Sequence, residues 1–162
     1  MKTIISVDNG TSGSIAIFHG DEVLFFKTPI KKELSYTKIK KYITRINFNR
    51  LHEMLSEFKN INVLAVLERP LVNPGLFTAT ISAMRSIEAT QIILDCLNIP
   101  YIFEDSKAWQ KEMLPKGLKG KELKTASLDI GNRLFPQFRD IKPKHPDRDS
   151  LLMGEYARRK YG

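Results

Sequence analysis

Three acids stand at positions where a charge calls for an explanation. Asp8 closes the apolar run Thr3–Val7, Glu68 closes the apolar run Val63–Leu67, and Asp149 opens a segment that continues through Leu151 and Leu152. A carboxylate at the end of a buried strand costs free energy unless something compensates it. If the two strands are sheet neighbours, both carboxylates emerge at one edge. Each acid also has a plainer reading. Asp8 could close an Asx-turn with Gly10. Glu68 could pair with Arg69, and Asp149 could cap the last helix. Taken together, three acids at element ends are harder to dismiss. Carboxylate oxygens are hard ligands and Cys96 is the only cysteine, so Mg²⁺, with Mn²⁺ as a substitute, is the natural occupant. Two such ions about 3.5–4 Å apart can activate a water and stabilise the leaving oxygen of a phosphodiester. That chemistry needs several acids and a basic rim for a polyanion.

The rim is present in the sequence. Lysine and arginine exceed acids by 26 to 18, a formal charge of +8, which favours a polyanionic partner. The excess is clustered. Lys27, Lys31, Lys32, Lys38, Lys40, Lys41, Arg45 and Arg50 crowd one segment; Lys107, Lys111, Lys116, Lys119, Lys121 and Lys124 crowd another. Two separated clusters suggest a broad footprint on phosphate; the plainer reading is two solvated surfaces.

The elements that must position these residues follow from pattern. Thr3–Asp8, Ser14–Phe18 and Val23–Phe26 read as three strands joined by tight turns, an antiparallel meander. Residues 28–47 are mixed and basic and read as a long loop or insertion. Asn49 caps an expected helix Arg50–Lys59, with Leu51, Leu55 and Phe58 on one face. Val63–Leu67 suits a central strand covered on both sides. A long helix is expected over Phe77–Asn98, a short strand over Tyr101–Phe103, a helix over Gly120–Phe135 and a last helix over Asp149–Lys160. Cys96, beside Leu94 and Leu97, reads as a buried small hydrophobe. Strands first, then strands alternating with helices, predict an α/β domain with a mixed five-stranded sheet flanked by helices. The 162 residues fit one domain, 1–162. No apolar run approaches the roughly 20 residues of a membrane helix, and the short stretch Thr3–Val7 does not resemble a secretory signal. The expected partner is therefore not a membrane and the expected location is cytoplasmic.

The chain resembles the RuvC-like Holliday-junction resolvases of the RNase H-like superfamily, phage-encoded members most closely. The matching motifs are Val7-Asp8-Asn9-Gly10-x-x-Gly13, Leu67-Glu68-Arg69-Pro70, Lys107-Ala108-Trp109-Gln110-Lys111, Lys124-Thr125-Ala126-Ser127 through Leu134-Phe135-Pro136, and Asp149 through Arg158. The resemblance implies an RNase H-like fold and Mg²⁺-dependent, symmetric nicking of four-way DNA junctions by a homodimer. It implies metal ligation by Asp8, Glu68 and Asp149. The family's fourth acid lies three or four residues before the last aspartate; here Pro146 and His145 stand there, with Asp147 two before, so either His145 or Asp147 is the expected fourth ligand. Lys124 matches a basic position near the metals, where it would steady the scissile phosphate; it could equally be a solvated helix lysine. Where some relatives carry an aromatic wedge, Leu71 stands, and Phe77 is the nearest aromatic substitute unless it only packs at a helix start. Lys107, Lys111, Lys119, Lys121, Lys124, Phe77 and Arg69 are the candidate DNA contacts. Trp109 reads as packing under a basic loop rather than stacking on a base. The small residues Ala79, Ala83, Ser86 and Thr90 permit close helix packing, either on the chain's own sheet or near a dimer interface.

Other readings share the same residues. An RNase H-like nuclease acting on flaps or RNA–DNA hybrids fits the acids, and a non-catalytic junction-binding protein fits the lysines. Asp8-Asn9-Gly10-Thr11-Ser12 also resembles the phosphate hairpin of actin-like and sugar-kinase proteins. Those proteins place ATP between two domains, and this sequence shows no second hairpin.

Overall fold

The computed structural model describes residues 1–141 and 147–162. Its strands are β1 (Thr3–Val7), β2 (Ser14–His19), β3 (Glu22–Lys27), β4 (Ile30–Leu34), β5 (Tyr42–Ile46), β6 (Val63–Glu68) and β7 (Tyr101–Glu104). Its helices are α1 (Phe48–Ser56), α2 (Phe77–Cys96), α3 (Ser106–Met113), α4 (Lys121–Leu134) and α5 (Asp149–Tyr161). Five strands form a mixed sheet in the order β3-β2-β1-β6-β7. β1, β2 and β3 pair antiparallel, whereas β1 with β6 and β6 with β7 pair parallel. The expected mixed sheet with flanking helices is thus the one observed.

Side-chain alternation along β1 builds two cores. Ile5 and Val7 point into a cluster with Leu51, Leu55, Ile87, Ile93 and Leu94, beneath α1 and α2. Ile4 points the other way, into a cluster with Phe18, Trp109, Leu151, Leu152 and Tyr156, beneath α3 and α5. Every residue of β1 is buried, as a central strand covered on both faces must be. Each fully buried isoleucine contributes about 1.5–3 kcal/mol relative to exposure. β1 therefore fixes the level at which both helical layers sit.

Several expectations are corrected. Residues 28–47 are not a loop: β4 and β5 pair as a separate two-stranded sheet, with Ile30 opposite Ile46 and Leu34 opposite Tyr42. Most of its side chains face solvent, so no apolar alternation marks it. The first helix starts earlier than expected, because Asn47, not Asn49, accepts the Arg50 amide at 3.3 Å. Residues 106–113 are helical rather than a basic loop. Asp105 caps that helix through the Lys107 amide, and Trp109 and Met113 are its buried side. Cys96 is exposed, not buried. The buried stripe of α2 runs through Ser86, Ile87, Thr90, Ile93 and Leu94, and position 96 lies on the opposite side of the helix. Asn98, at φ 53°, turns the chain out of the helix.

Helix α5 crosses β1 and β2 closely enough that Gly154 leaves no room for a side chain. A Cβ there would lie 2.2 Å from Cε2 of Phe18. Gly154→Ala is expected to lower stability by about 1–3 kcal/mol, the usual cost of overpacking. Denaturant melts of the two proteins would measure it, and an unchanged midpoint would mean that α5 stands further from β2 than described.

Candidate metal centre

Parallel pairing sets Val7 opposite Leu67, so the residues that follow, Asp8 and Glu68, leave the sheet side by side. Alternation then fixes their direction. Ile4 and Val66 belong to the core beneath α5, and Asp8 and Glu68 share their parity. The two carboxyl groups hydrogen-bond to one another. Helix α5 brings Asp149 to the same edge, held by a 2.7 Å bond between the hydroxyls of Ser14 and Ser150. Asp147, 6% exposed, completes the group. Asp8, Asp147 and Asp149 each offer one carboxylate oxygen, and these oxygens lie within 4.8 Å of one another.

Such a cluster is electrostatically unfavourable when empty. Burial, then the neighbouring charges of Glu68, Asp149 and Asp147, push the Asp8 carboxyl well above the usual carboxylate range. Glu68 is raised by burial, against hydrogen bonds from Trp109 and Asp8 that favour its charged form. Burial and the charge of Asp147 push Asp149 up to about 6, while Ser127 and Lys124 pull the other way. The alternative role of Asp149 as a cap does not hold: it is the first residue of α5, and Arg148 occupies the cap position without a side-chain bond.

Neighbouring side chains hold the acids in place. The indole N–H of Trp109 donates to Glu68 Oε1 at 3.1 Å. Trp109, fully buried on α3, thus orients an acid instead of packing beneath a loop. Ser127 on α4 donates to Asp149 Oδ1 and accepts the Arg148 amide at 3.0 Å. Arg148 is itself 1% exposed. Its guanidinium donates to Asn132 Oδ1 and to the carbonyls of Asp147 and Phe138, each at 3.1 Å, and lies over the Phe25 ring. Gly131 makes that burial possible, since a Cβ there would come within 2.3 Å of the Arg148 side chain. Glu104 ends β7 opposite Glu68, but Tyr161, Tyr156 and Lys160 occupy its carboxylate, which makes it a structural acid. Sequence reasoning missed the roles of Trp109 and Arg148. Asp105 followed by Trp109 and Met113 at helical spacing was a usable signal for α3; nothing local marks Arg148 as buried.

The remaining candidates are distributed as follows. Lys124 is exposed on α4 yet close enough to act on Asp149. Lys107 and Lys111 are exposed on α3, Lys121 on α4 and Lys119 just before it. Arg69 is exposed, and its amide donates to the Glu104 carbonyl at 2.9 Å. Phe77 begins α2 with 72% exposure, alongside exposed Leu71 and Leu76. A cleft of about 310 Å³ runs between Leu71, Leu76 and Glu68, lined also by Asn9 and Thr80; Phe77 is not part of its lining. Of the small residues on α2, Ser86 and Thr90 are buried against the chain's own core. His145 lies outside the described residues.

No protein-family model and no curated protein sequence matches the chain. Solved structures do. RuvC of T. thermophilus in complex with a Holliday junction substrate is 12% identical, with a TM-score of 0.62 over 100% of this chain and 98% of that one. A second Thermus thermophilus RuvC structure is 10% identical, with a TM-score of 0.56 over 98% and 96%. The fold is that of RuvC. At this identity the likeness concerns the RNase H-like fold; the site rests on the geometry above. Among the described residues no helix is long and apolar enough to cross a membrane.

The buried acids set a pH dependence. Asp149 has a folded value of about 6 against an ordinary 3.8. An acid raised in this way contributes stability that is complete below its unfolded value and lost as pH rises through its folded one. Asp149 alone accounts for roughly 3 kcal/mol of that loss, and Asp8 and Glu68 act in the same direction. In EDTA the melting temperature is expected to fall between about pH 4 and pH 7, and Mg²⁺ or Mn²⁺ should restore it at the upper end. A profile that is flat in EDTA and indifferent to metal would show that the acids do not share one site.

Proposed function

We propose that residues 1–162 act as a metal-dependent DNA endonuclease that nicks four-way junctions. The observation that carries this reading is the convergence of Asp8, Asp147 and Asp149 oxygens within 4.8 Å, beside Glu68, on a RuvC-like fold. The donor set fits a hard divalent cation. It is all carboxylate, burial and then neighbouring acids raise the Asp8 and Asp149 carboxyls, and the buried Oδ1 of adjacent Asn9 has no partner. Asp8, Asp147 and Asp149 would hold the ion, with Glu68 completing the set and Asp147 as the fourth acid. Mg²⁺, or Mn²⁺ in its place, supplies activation of water and stabilisation of the leaving oxygen in phosphodiester hydrolysis.

The chain's own residues supply the rest. Trp109 keeps Glu68 turned towards Asp8. Ser127 and Arg148 hold the Asp147–Asp149 segment against α4. Lys124 offers a positive charge beside Asp149, where it steadies the scissile phosphate. The lysines of α3 and the start of α4 draw in the DNA backbone; exposed Leu71 lines the cleft beside Glu68 and exposed Phe77 begins α2, the two candidate wedges. Symmetric cleavage needs two related sites, which favours a homodimer. The RuvC neighbour solved with a Holliday junction supports branched DNA over flaps or hybrids, and the resolvases encoded by phages are the type the sequence motifs favour.

Asp8→Asn, Glu68→Gln and Asp149→Asn are each expected to abolish nicking of a synthetic four-way junction in Mg²⁺, with junction binding retained. Duplex, flap and RNA–DNA hybrid substrates serve as controls. Cleavage that survives one of these changes would remove that acid from the centre. Preferential cutting of a control substrate would reassign the activity.

A further inference from the structure

The β4–β5 hairpin stands apart from the main sheet. A lone two-stranded hairpin is marginal in water, and this one is anchored with care. Asn47 donates its amide to Pro29 O at 2.9 Å, closing the base, and Ile46 enters the core. β5 lies along α2, and from α2 Arg85 donates to the Tyr36 hydroxyl at 2.6 Å with its guanidinium over the ring. The arm extends roughly 17 Å, five residues at strand rise.

Its composition is one-sided. Residues 30–46 contain six basic side chains and one acid, Glu33. Glu33 is shared by Lys31 and Arg45. Among the described residues Lys32, Lys38 and Lys41 have no carboxylate partner. Between these lysines stand Tyr36, 72% exposed, Ile39, 79%, and Tyr42, 72%. Basic side chains interleaved with exposed tyrosines, one face of Tyr36 already taken by Arg85, suit a nucleic-acid strand, which offers phosphates and base faces together. The same charge opposes pairing of this arm with its own copy across a two-fold axis.

The arm also begins at the acid edge. Thr28 donates its amide to Gly13 O at 3.1 Å, in the loop that follows Asp8. Asn9 donates to Ala83 O at 3.1 Å, two residues before the arginine that grips Tyr36. The metal centre and the hairpin tip thus share the first half of α2 as a common support.

We propose that the β4–β5 hairpin is a second DNA grip, separate from the lysines of α3 and α4, which takes the phosphate backbone of a strand leaving the metal centre. The proposal rests on the nuclease reading above. The test is Lys32→Gln/Lys38→Gln/Lys41→Gln, compared with the wild type for four-way-junction binding in EDTA over a range of salt, and for cleavage in Mg²⁺. These side chains are exposed, so the variant should melt as the wild type does. The slope of log affinity against log salt is expected to flatten by about 0.9 for each lost phosphate contact, up to about 2.7. An unchanged slope in a wild type that binds and cuts junctions would overturn the grip while leaving the nuclease reading intact. A wild type that neither binds nor cuts branched DNA would overturn the nuclease reading itself. Weaker binding explained by dissociation of a dimer in sedimentation would also overturn the proposal, assigning the arm to self-association.

Discussion

Asp8 and Glu68 are forced together by backbone pairing, against their mutual repulsion. The register that sets Val7 opposite Leu67 is enforced by two apolar layers, since a slip of one residue would turn Ile4 and Ile5 to the wrong faces. Core burial therefore sets the position of the acids. Two unit charges about 4 Å apart repel by about 4 kcal/mol at an effective dielectric of 20, and burial together with the charges of Glu68, Asp149 and Asp147 pushes the Asp8 carboxyl well above the usual carboxylate range. A divalent ion held by Asp8, Asp147 and Asp149 would offset that repulsion.

The remaining supports exist to bring α5 to that edge and keep its start in place. Gly154 lets the helix approach Phe18, and the Ser14–Ser150 bond fixes its height. Arg148 is costly to bury, and its charge is matched by three oxygen acceptors, an aromatic face and the adjacent Asp147. Breaking a buried charge network typically costs several kcal/mol, so Arg148 holds the adjacent Asp147 and Asp149 in place. Rigid placement of ligands is what a site for a small hard cation requires.

The strands and the acids that end them were legible in the sequence, because an apolar run of five residues with a terminal charge has few other uses. Helix α5 was legible for the same reason: Leu151 and Leu152 mark its buried side. The hairpin at residues 30–46 was not, since it faces water on most sides and its order comes from ladder bonds, Glu33 and the grip of Arg85 on Tyr36. Cys96 was misread because its neighbours Leu94 and Leu97 are buried while the helix turns position 96 outward. Asp147 was legible only as one of two alternatives. Its place beside Asp8 depends on Arg148, whose partners come from four separate segments.

The central claim is that Asp8, Asp147 and Asp149 form one metal centre with Glu68 beside them. Anomalous diffraction from crystals grown with Mn²⁺ tests it most directly. A peak is expected at the end of β1 within coordination distance of Asp8, Asp147 and Asp149, about 2.0–2.6 Å for oxygen ligands of hard divalent ions, and it should disappear in Asp8→Asn. A peak elsewhere, or none in crystals that leave this edge open to solvent, would contradict it.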